Sequence, residues 1–371
     1  MYFRTCEFKI MSNKRILVGM SGGVDSSAVC LLLQEQGYEV VGATLRMWER
    51  GESDEEPAFI LDARNLAERL GIEHHTIDIR KKFKDGVIAS FINEYMSGRT
   101  PNPCVVCNPG FKWKALLDCA DRLGCEKIAT GHYVNIVEEN GKFFIEEGGD
   151  NSKDQSYFLW GLTQEQLSRT VFPLGRLVKR EVKDMMRQRG FAASADKSES
   201  MEICFIEKDY RTFLRENVEG IDERYSGGFF VDKLGKRLGQ HKGFPFYTIG
   251  QRKGLEIALG RPAYVTKINP LKNTVKLGFE DELLCNGIRL SNCKFIDESL
   301  MSSPELVVRI RYRGTSYGVK HIASDDKGVK VVLNSSASAV APGQSAVFYI
   351  GNRVVGGGFI ESPLSEREII C

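Results

Sequence analysis

The chain has 371 residues, 42% of them hydrophobic and 27% charged, with a formal net charge of +2. That length exceeds what one hydrophobic core usually supports, so about two or three domains are expected. No run of about 18 apolar residues is present, which excludes a membrane-spanning helix. The first 13 residues lack the apolar stretch of a secretory leader, so a cytoplasmic protein with no membrane partner is expected. Ten cysteines in such a chain point to thiols in a reducing compartment rather than a disulfide framework. The small net charge neither demands nor excludes a nucleic-acid partner, and local clusters must decide.

Up to about residue 200, short apolar strands alternate with amphipathic helices, the pattern of a parallel sheet wrapped by helices. Residues 16–18, 39–45, 73–79 and 127–130 read as strands, and residues 26–36, 62–70, 81–96 and 111–123 as helices. Gly37, Gly71 and Gly124 stand where three of those helices should stop, because glycine accepts the left-handed cap conformation cheaply. After about residue 220 the texture changes to short β-like runs separated by glycine. The expected division is an N-terminal extension over 1–13, an α/β domain over 14–220, a small central β domain over 221–280 and a C-terminal β domain over 281–371. The acidic stretch 51–57 reads as a loop.

SGGVDSS at residues 21–27 follows a predicted strand and opens a predicted helix, the context a phosphate cradle requires. Two glycines let the backbone approach an anion, while free amides and the positive end of the helix dipole face it. The lysine of a Walker A loop is missing, so nothing local is placed to guide γ-phosphate transfer. The string resembles the loop of PP-loop ATP pyrophosphatases, which cleave ATP between the α and β phosphates to activate an oxygen as an adenylate.

Cys104 and Cys107 lie in TPNPCVVCN at residues 100–108, where Pro101 and Pro103 read as stiffening a loop before a helix near Phe111. A thiol near a helix N-terminus is favoured as thiolate, the reactive form. A structural zinc loop completed by Cys119 and Cys125, or two unremarkable thiols, are the other readings. Cys204 stands in SESMEICFI at residues 198–206.

Six strings in order, SGGVDSS, TPNPCVVCN, ATGHY at 129–133, KDQSYFL at 153–159, EICFI at 202–206 and GQRKG at 250–254, resemble the bacterial tRNA-specific 2-thiouridylase family across nearly the whole chain. The resemblance implies an adenine-nucleotide α-hydrolase-like parallel-sheet domain that binds ATP, a small central β domain and a C-terminal β barrel that binds tRNA. It implies that Gly19, Met20, Ser21, Gly22, Gly23, Val24, Asp25 and Ser26 hold ATP, with Leu45 and Gly131 also at the nucleotide. It makes Cys204 the carrier of a persulfide and Cys107 the nucleophile that acts on it. Asn102 and Pro103 are placed beside the target base, and His132, Lys153, Asp154, Gln155, Arg311, Tyr312 and Gln344 on the tRNA.

Cys104 departs from the family pattern, which commonly has Asp there as an acid or base. A thiol does not replace a carboxylate in that ionic role. An acid–base substitute, a redox thiol and one ligand of an iron–sulfur cluster held by Cys104, Cys107 and Cys204 are its three readings. Mg2+ is expected with the triphosphate, and a cysteine desulfurase or sulfur-relay carrier is expected as sulfur donor.

Two basic stretches suit RNA. Residues 233–253 carry six lysines or arginines and no acid, interleaved with Phe244, Phe246 and Tyr247 for base stacking. Residues 307–313 alternate at period two, which would put Arg309, Arg311 and Arg313 on one face of a strand. Rival readings are another ligase built on the same loop without sulfur transfer, and a non-catalytic RNA-binding or sulfur-carrier protein.

Overall fold

Strands buried on both faces need apolar side chains on both, and Ile16, Leu17 and Val18 in succession meet that demand, each with no exposure. The computed structural model describes residues 14–49, 56–191, 196 and 203–370. The expected extension over 1–13, most of the 51–57 loop and residues 198–202 of the Cys204 string lie outside the described residues. The chain divides into two units, one of residues 1–84 and 106–201, the other of residues 85–105 and 202–371.

The first unit holds a five-stranded parallel sheet. Its strands are β1 (Arg15–Gly19), β2 (Glu39–Arg46), β3 (Glu73–Asp78), β4 (Lys127–Ala129) and, after the antiparallel hairpin β5 (Val134–Glu139) and β6 (Lys142–Glu147), β7 (Thr170–Val171). The spatial order is β3-β2-β1-β4-β7. The chain therefore moves outward from β1 to β3 and returns to place β4 on the other side of β1. In open α/β sheets a ligand crevice forms at such a reversal, outside the carboxyl ends of the strands. Four helices position the site: α1 (Val24–Glu35), α2 (Ala58–Leu70), α3 (Trp113–Arg122) and α4 (Lys179–Gln188). Val29 and Leu33 of α1 share one buried cluster with Val182 and Met186 of α4 and with Ile16 and Val18.

The predicted helix over 81–96 runs from Arg80 to Met96 with a π-helical turn at Lys84–Ile88. The three glycines do end their helices, with φ of 81° at Gly37, 65° at Gly71 and 66° at Gly124.

In the second unit, β8 (Gly228–Val231), β9 (Arg237–His241), β10 (Tyr264–Asn269) and β11 (Thr274–Gly278) form a four-stranded sheet in the order β10-β11-β8-β9. Beyond it, β12 (Leu284–Phe295), β13 (Val307–Arg309), β14 (Ser316–Asp325), β15 (Gly328–Ser338), β16 (Ser345–Ile350) and β17 (Arg353–Pro363) pair antiparallel in the order β12-β15-β14-β13-β16-β17. Pairing of β17 with β12 closes this six-stranded barrel. Residues 85–105 belong to the same unit. Arg99 bonds Glu94 at 2.8 Å and Glu361 at 2.6 Å, and the Thr100 N–H donates to Pro342 O at 2.7 Å.

Candidate active site

The SGGVDSS turn at residues 21–27 occupies the reversal point between β1 and β4. Gly22 has φ of 71°, and a Cβ there would lie 2.7 Å from Phe59 O of α2, so only glycine fits. The hydroxyls of Ser26 and Ser27 donate to Gly23 O at 3.1 and 2.8 Å, and the Ser21 N–H donates to Ser26 Oγ at 3.2 Å. The turn is thus closed from inside. Gly23 precedes α1 with no side-chain cap, so the first-turn amides are left to an anion. Gly131, just after β4, passes flat against this helix end. A Cβ at Gly131 would lie 2.9 Å from Asp25 Cβ and 3.2 Å from Ser26 N. Met20 is buried and extends the β1–β2 pairing, its N–H donating to Ala43 O at 2.7 Å, and Leu45 is buried near the end of β2.

The loop lacks a lysine in sequence and acquires one in space. Lys179, 7% exposed at the first position of α4, donates to both oxygens of Asp25 at 2.8 and 2.6 Å. The Tyr133 hydroxyl donates to Asp25 Oδ1 at 2.7 Å. The string at residues 21–27 itself holds no lysine, and Lys179 reaches Asp25 from another helix. The two residues are 154 positions apart, and no local pattern announces their meeting. The Lys179 N–H donates to Asp150 Oδ2 at 3.0 Å, and Asp150, also bonded by Ser152, sits below the usual carboxylate range.

His132 does not face outward as a cation. Its Nδ1 shares a 2.8 Å hydrogen bond with Thr130 Oγ1, and its ring packs 5.4 Å from Trp113 and 6.0 Å from Phe172. Burial, and secondarily the Lys112 charge, hold its pKa well below the ordinary value of 6.5. The unfolded chain binds a proton here near pH 6.5 and the native state does not, so stability is full above that pH and falls as pH drops below it. The slope is at most about 1.4 kcal/mol per pH unit. Urea midpoints at pH 7.5 and 5.5 should differ less for His132→Gln than for the wild type. An equal drop would locate the acid sensitivity elsewhere.

In the KDQ string, Asp154 is buried. Its carboxylate accepts from the Gly148 and Ser156 amides and the Ser156 hydroxyl at 2.9, 3.3 and 2.7 Å, and burial raises its pKa. Gln155 pairs with Tyr133 through its amide and its Oε1 at 3.3 and 3.1 Å, and Lys153 is half-buried. Loop 150–155 and the SGGVDSS turn thus share Tyr133 and Lys179 as common supports.

Cys104 and Cys107 lie in a helix, Pro103–Cys107, followed by a π-helical turn at Asn108–Lys112 and then by α3. The expectation of a loop up to Phe111 is corrected. Pro103 opens the helix, where its missing N–H costs no hydrogen bond. Cys104 is half-buried and Cys107 7% exposed. Asn108 is buried and donates to Phe158 O at 3.0 Å. Cys204 is exposed in a turn whose next residue, Phe205, is buried edge-on to Phe91 at 5.2 Å. Among the described residues no group of three His, Cys, Asp or Glu is assembled that could hold a metal ion.

Gln344 spends its amide on the chain itself. Its Nε2 donates to Thr100 O at 2.9 Å and Pro101 O at 3.2 Å, pinning the residues that lead into Asn102, half-buried, and Pro103, buried. The two basic stretches differ from their reading. β13 ends at Arg309, which stacks on Tyr349, while Arg311 and Tyr312 follow in a bend and turn where Arg313 has φ of 55°. Arg311 is exposed. Phe244, Phe246 and Tyr247 are 1%, 2% and 7% exposed, so these rings fill a core and do not stack bases. Lys233, Lys236, Arg237 and Lys242 remain on the surface.

Three family models match in order: the tRNA methyl transferase HUP domain over 14–208, the tRNA methyl transferase PRC-barrel domain over 213–278 and the aminomethyltransferase beta-barrel domain over 285–360. The chain is 54% identical over 363 residues to tRNA-specific 2-thiouridylase MnmA 3 of Phocaeicola vulgatus, covering 96% of this chain and 97% of that one. It is 48% identical to tRNA-specific 2-thiouridylase MnmA of Amoebophilus asiaticus, with 96% and 97% covered. It is 46% identical to the Cytophaga hutchinsonii protein of the same name, with 96% and 100% covered. A match of this depth over 96% of the chain makes the assignment: the chain belongs to the tRNA-specific 2-thiouridylase family.

Proposed function

We propose that this protein is a cytoplasmic tRNA-uridine 2-sulfurtransferase that consumes ATP to replace the C2 oxygen of the wobble uridine with sulfur. The observation that carries this reading is the 54% identity to a 2-thiouridylase over 96% of the chain. The loop at residues 19–26 binds the phosphates through first-turn amides, and Leu45 and Gly131 border the nucleotide. Mg2+, which keeps few protein ligands, would be held chiefly by the substrate phosphates, since both oxygens of Asp25 already accept from Lys179. When bound it neutralises charge on the triphosphate.

The uridine C2 oxygen attacks the α-phosphorus, the bond to the β-phosphate oxygen breaks, and pyrophosphate leaves. A sulfur donor of the desulfurase or carrier-protein class leaves a persulfide on Cys204. The Cys107 thiolate attacks the Cys204 sulfur, the Cys204 persulfide bond breaks, and its electron pair stays on the outer sulfur, which departs as hydrosulfide. That sulfur displaces AMP from C2. The resulting Cys107–Cys204 disulfide is returned to two thiols by an external thiol reductant. This route needs two thiols, and Cys104 is outside it. Asn102 and Pro103 would border the base, and Lys153, Gln155, Arg311, Tyr312 and the surface lysines of residues 233–242 the tRNA. The enzyme's share is positioning and exclusion of water from the adenylate.

The test is a complete reaction with unmodified tRNA, ATP, Mg2+ and a desulfurase with cysteine, followed by nucleoside mass spectrometry. The expected result is 2-thiouridine, AMP and pyrophosphate in equal amounts. AMP formed with no sulfur in the RNA would favour another ligase of this loop class. ATP left intact with every tRNA would favour a carrier or binding protein.

A further inference from the structure

An anion site that carries its own carboxylate poses an electrostatic problem. Asp25 lies in the first turn of α1, where a negative charge cancels the partial positive charge of the helix end and repels phosphate. The structure answers with Lys179, whose ammonium forms two hydrogen bonds to that carboxylate from the start of another helix. A brace between α1 and α4 does not require charge, because Val29 and Leu33 already share an apolar cluster with Val182 and Met186. Ammonium burial is costly, and Lys179 retains 9% of its side-chain exposure against 30% for Asp25.

We infer that Lys179 is the phosphate-site cation of this protein, a binding residue that neutralises Asp25 and so leaves the partial positive charge of the helix end free to hold a triphosphate. Asp25 and Tyr133 act with it as positioning residues: they fix the ammonium and set how much of its charge a phosphate sees. The inference rests on residues 19–26 being the ATP site.

The experiment titrates the full-length protein with inorganic pyrophosphate in magnesium-free buffer, with adenosine as a phosphate-free control. Lys179→Met should weaken pyrophosphate binding about tenfold or more, the scale of one partly screened charge at contact distance. Adenosine binding should be unchanged, which shows that the fold is intact, and Lys179→Arg should stay within about threefold of wild type. Asp25→Asn removes the competing anion and should tighten pyrophosphate about tenfold. In the Asp25→Asn/Lys179→Met double variant that gain should disappear. A structural brace would give no tightening in Asp25→Asn.

Wild-type affinity in Lys179→Met, or tightening that persists in the double variant, overturns the inference and leaves the thiolation reading standing. Wild-type protein that binds pyrophosphate through Lys179 yet yields no AMP with any tRNA does the reverse. Wild-type protein that binds no pyrophosphate overturns both.

Discussion

Asp25→Ala should lower pyrophosphate release by about 10²–10³-fold, the usual cost of removing one group aimed at a phosphoryl-transfer centre, while tRNA affinity stays within about twofold. The carboxylate holds Lys179 and the Tyr133 hydroxyl through three hydrogen bonds. Its loss unfixes both at the mouth of the loop. The same change leaves the Lys179 ammonium without its counter-charge, so a fall in stability of about 1–3 kcal/mol is expected, below the cost in a fully buried pair because Asp25 is partly open to water. Tighter binding of pyrophosphate in Asp25→Asn is consistent with slower turnover, because affinity for a product does not stabilise the transition state. Pyrophosphate release measured beside filter binding of tRNA separates the two effects. An Asp25→Ala protein that releases pyrophosphate at the normal rate would remove residues 19–26 from the chemistry.

Cys204→Ser should reduce 2-thiouridine formation by about 10⁴-fold or more, since a hydroxyl cannot carry a persulfide and the covalent route is lost outright. Pyrophosphate release should remain within about threefold, because adenylation precedes sulfur delivery. Cys204 is exposed while the turn is anchored by Phe205, so the substitution should leave the fold intact. Cys107→Ser should match it in thiolation. Cys104→Ser should stay within about fivefold of wild type, as a thiol outside the two-cysteine route. Equal loss in all three serine variants, with iron in the anaerobically purified protein, would overturn the persulfide route.

The strand–turn–helix form of residues 15–35 was legible because its requirements are local: a strand before the turn, a helix after it, and glycine where the backbone meets Phe59 O. The helix ends at Gly37, Gly71 and Gly124 were legible for the same reason. Lys179 was not, because its partner comes from a remote helix and a lysine at a helix start reads as ordinary surface. Pro103 carried a signal that was misread: proline suits the first turn of a helix as well as a loop, and the helix begins there. The alternation Arg309, Arg311, Arg313 has strand period, but the left-handed φ at Arg313 belongs to a turn. Phe244 and Phe246 sat among lysines that remain outside while the rings turned inward, a choice that sequence composition leaves open.

The pairing of Arg99 with Glu361 spans 262 residues. At synthesis rates of about 5–20 residues per second, Glu361 follows Arg99 out of the ribosome by roughly 13–50 s. Residues 85–105, with the cysteine helix at their end, must wait that long for the barrel strand that holds them. A C-terminal fragment cut near residue 202 would contain every barrel strand but lack this segment, leaving the side-chain amide of Gln344 without Thr100 and Pro101 and the carboxylate of Glu361 without Arg99. The second unit is thus a body assembled from two separate stretches of chain, completed only after the barrel strands have been made.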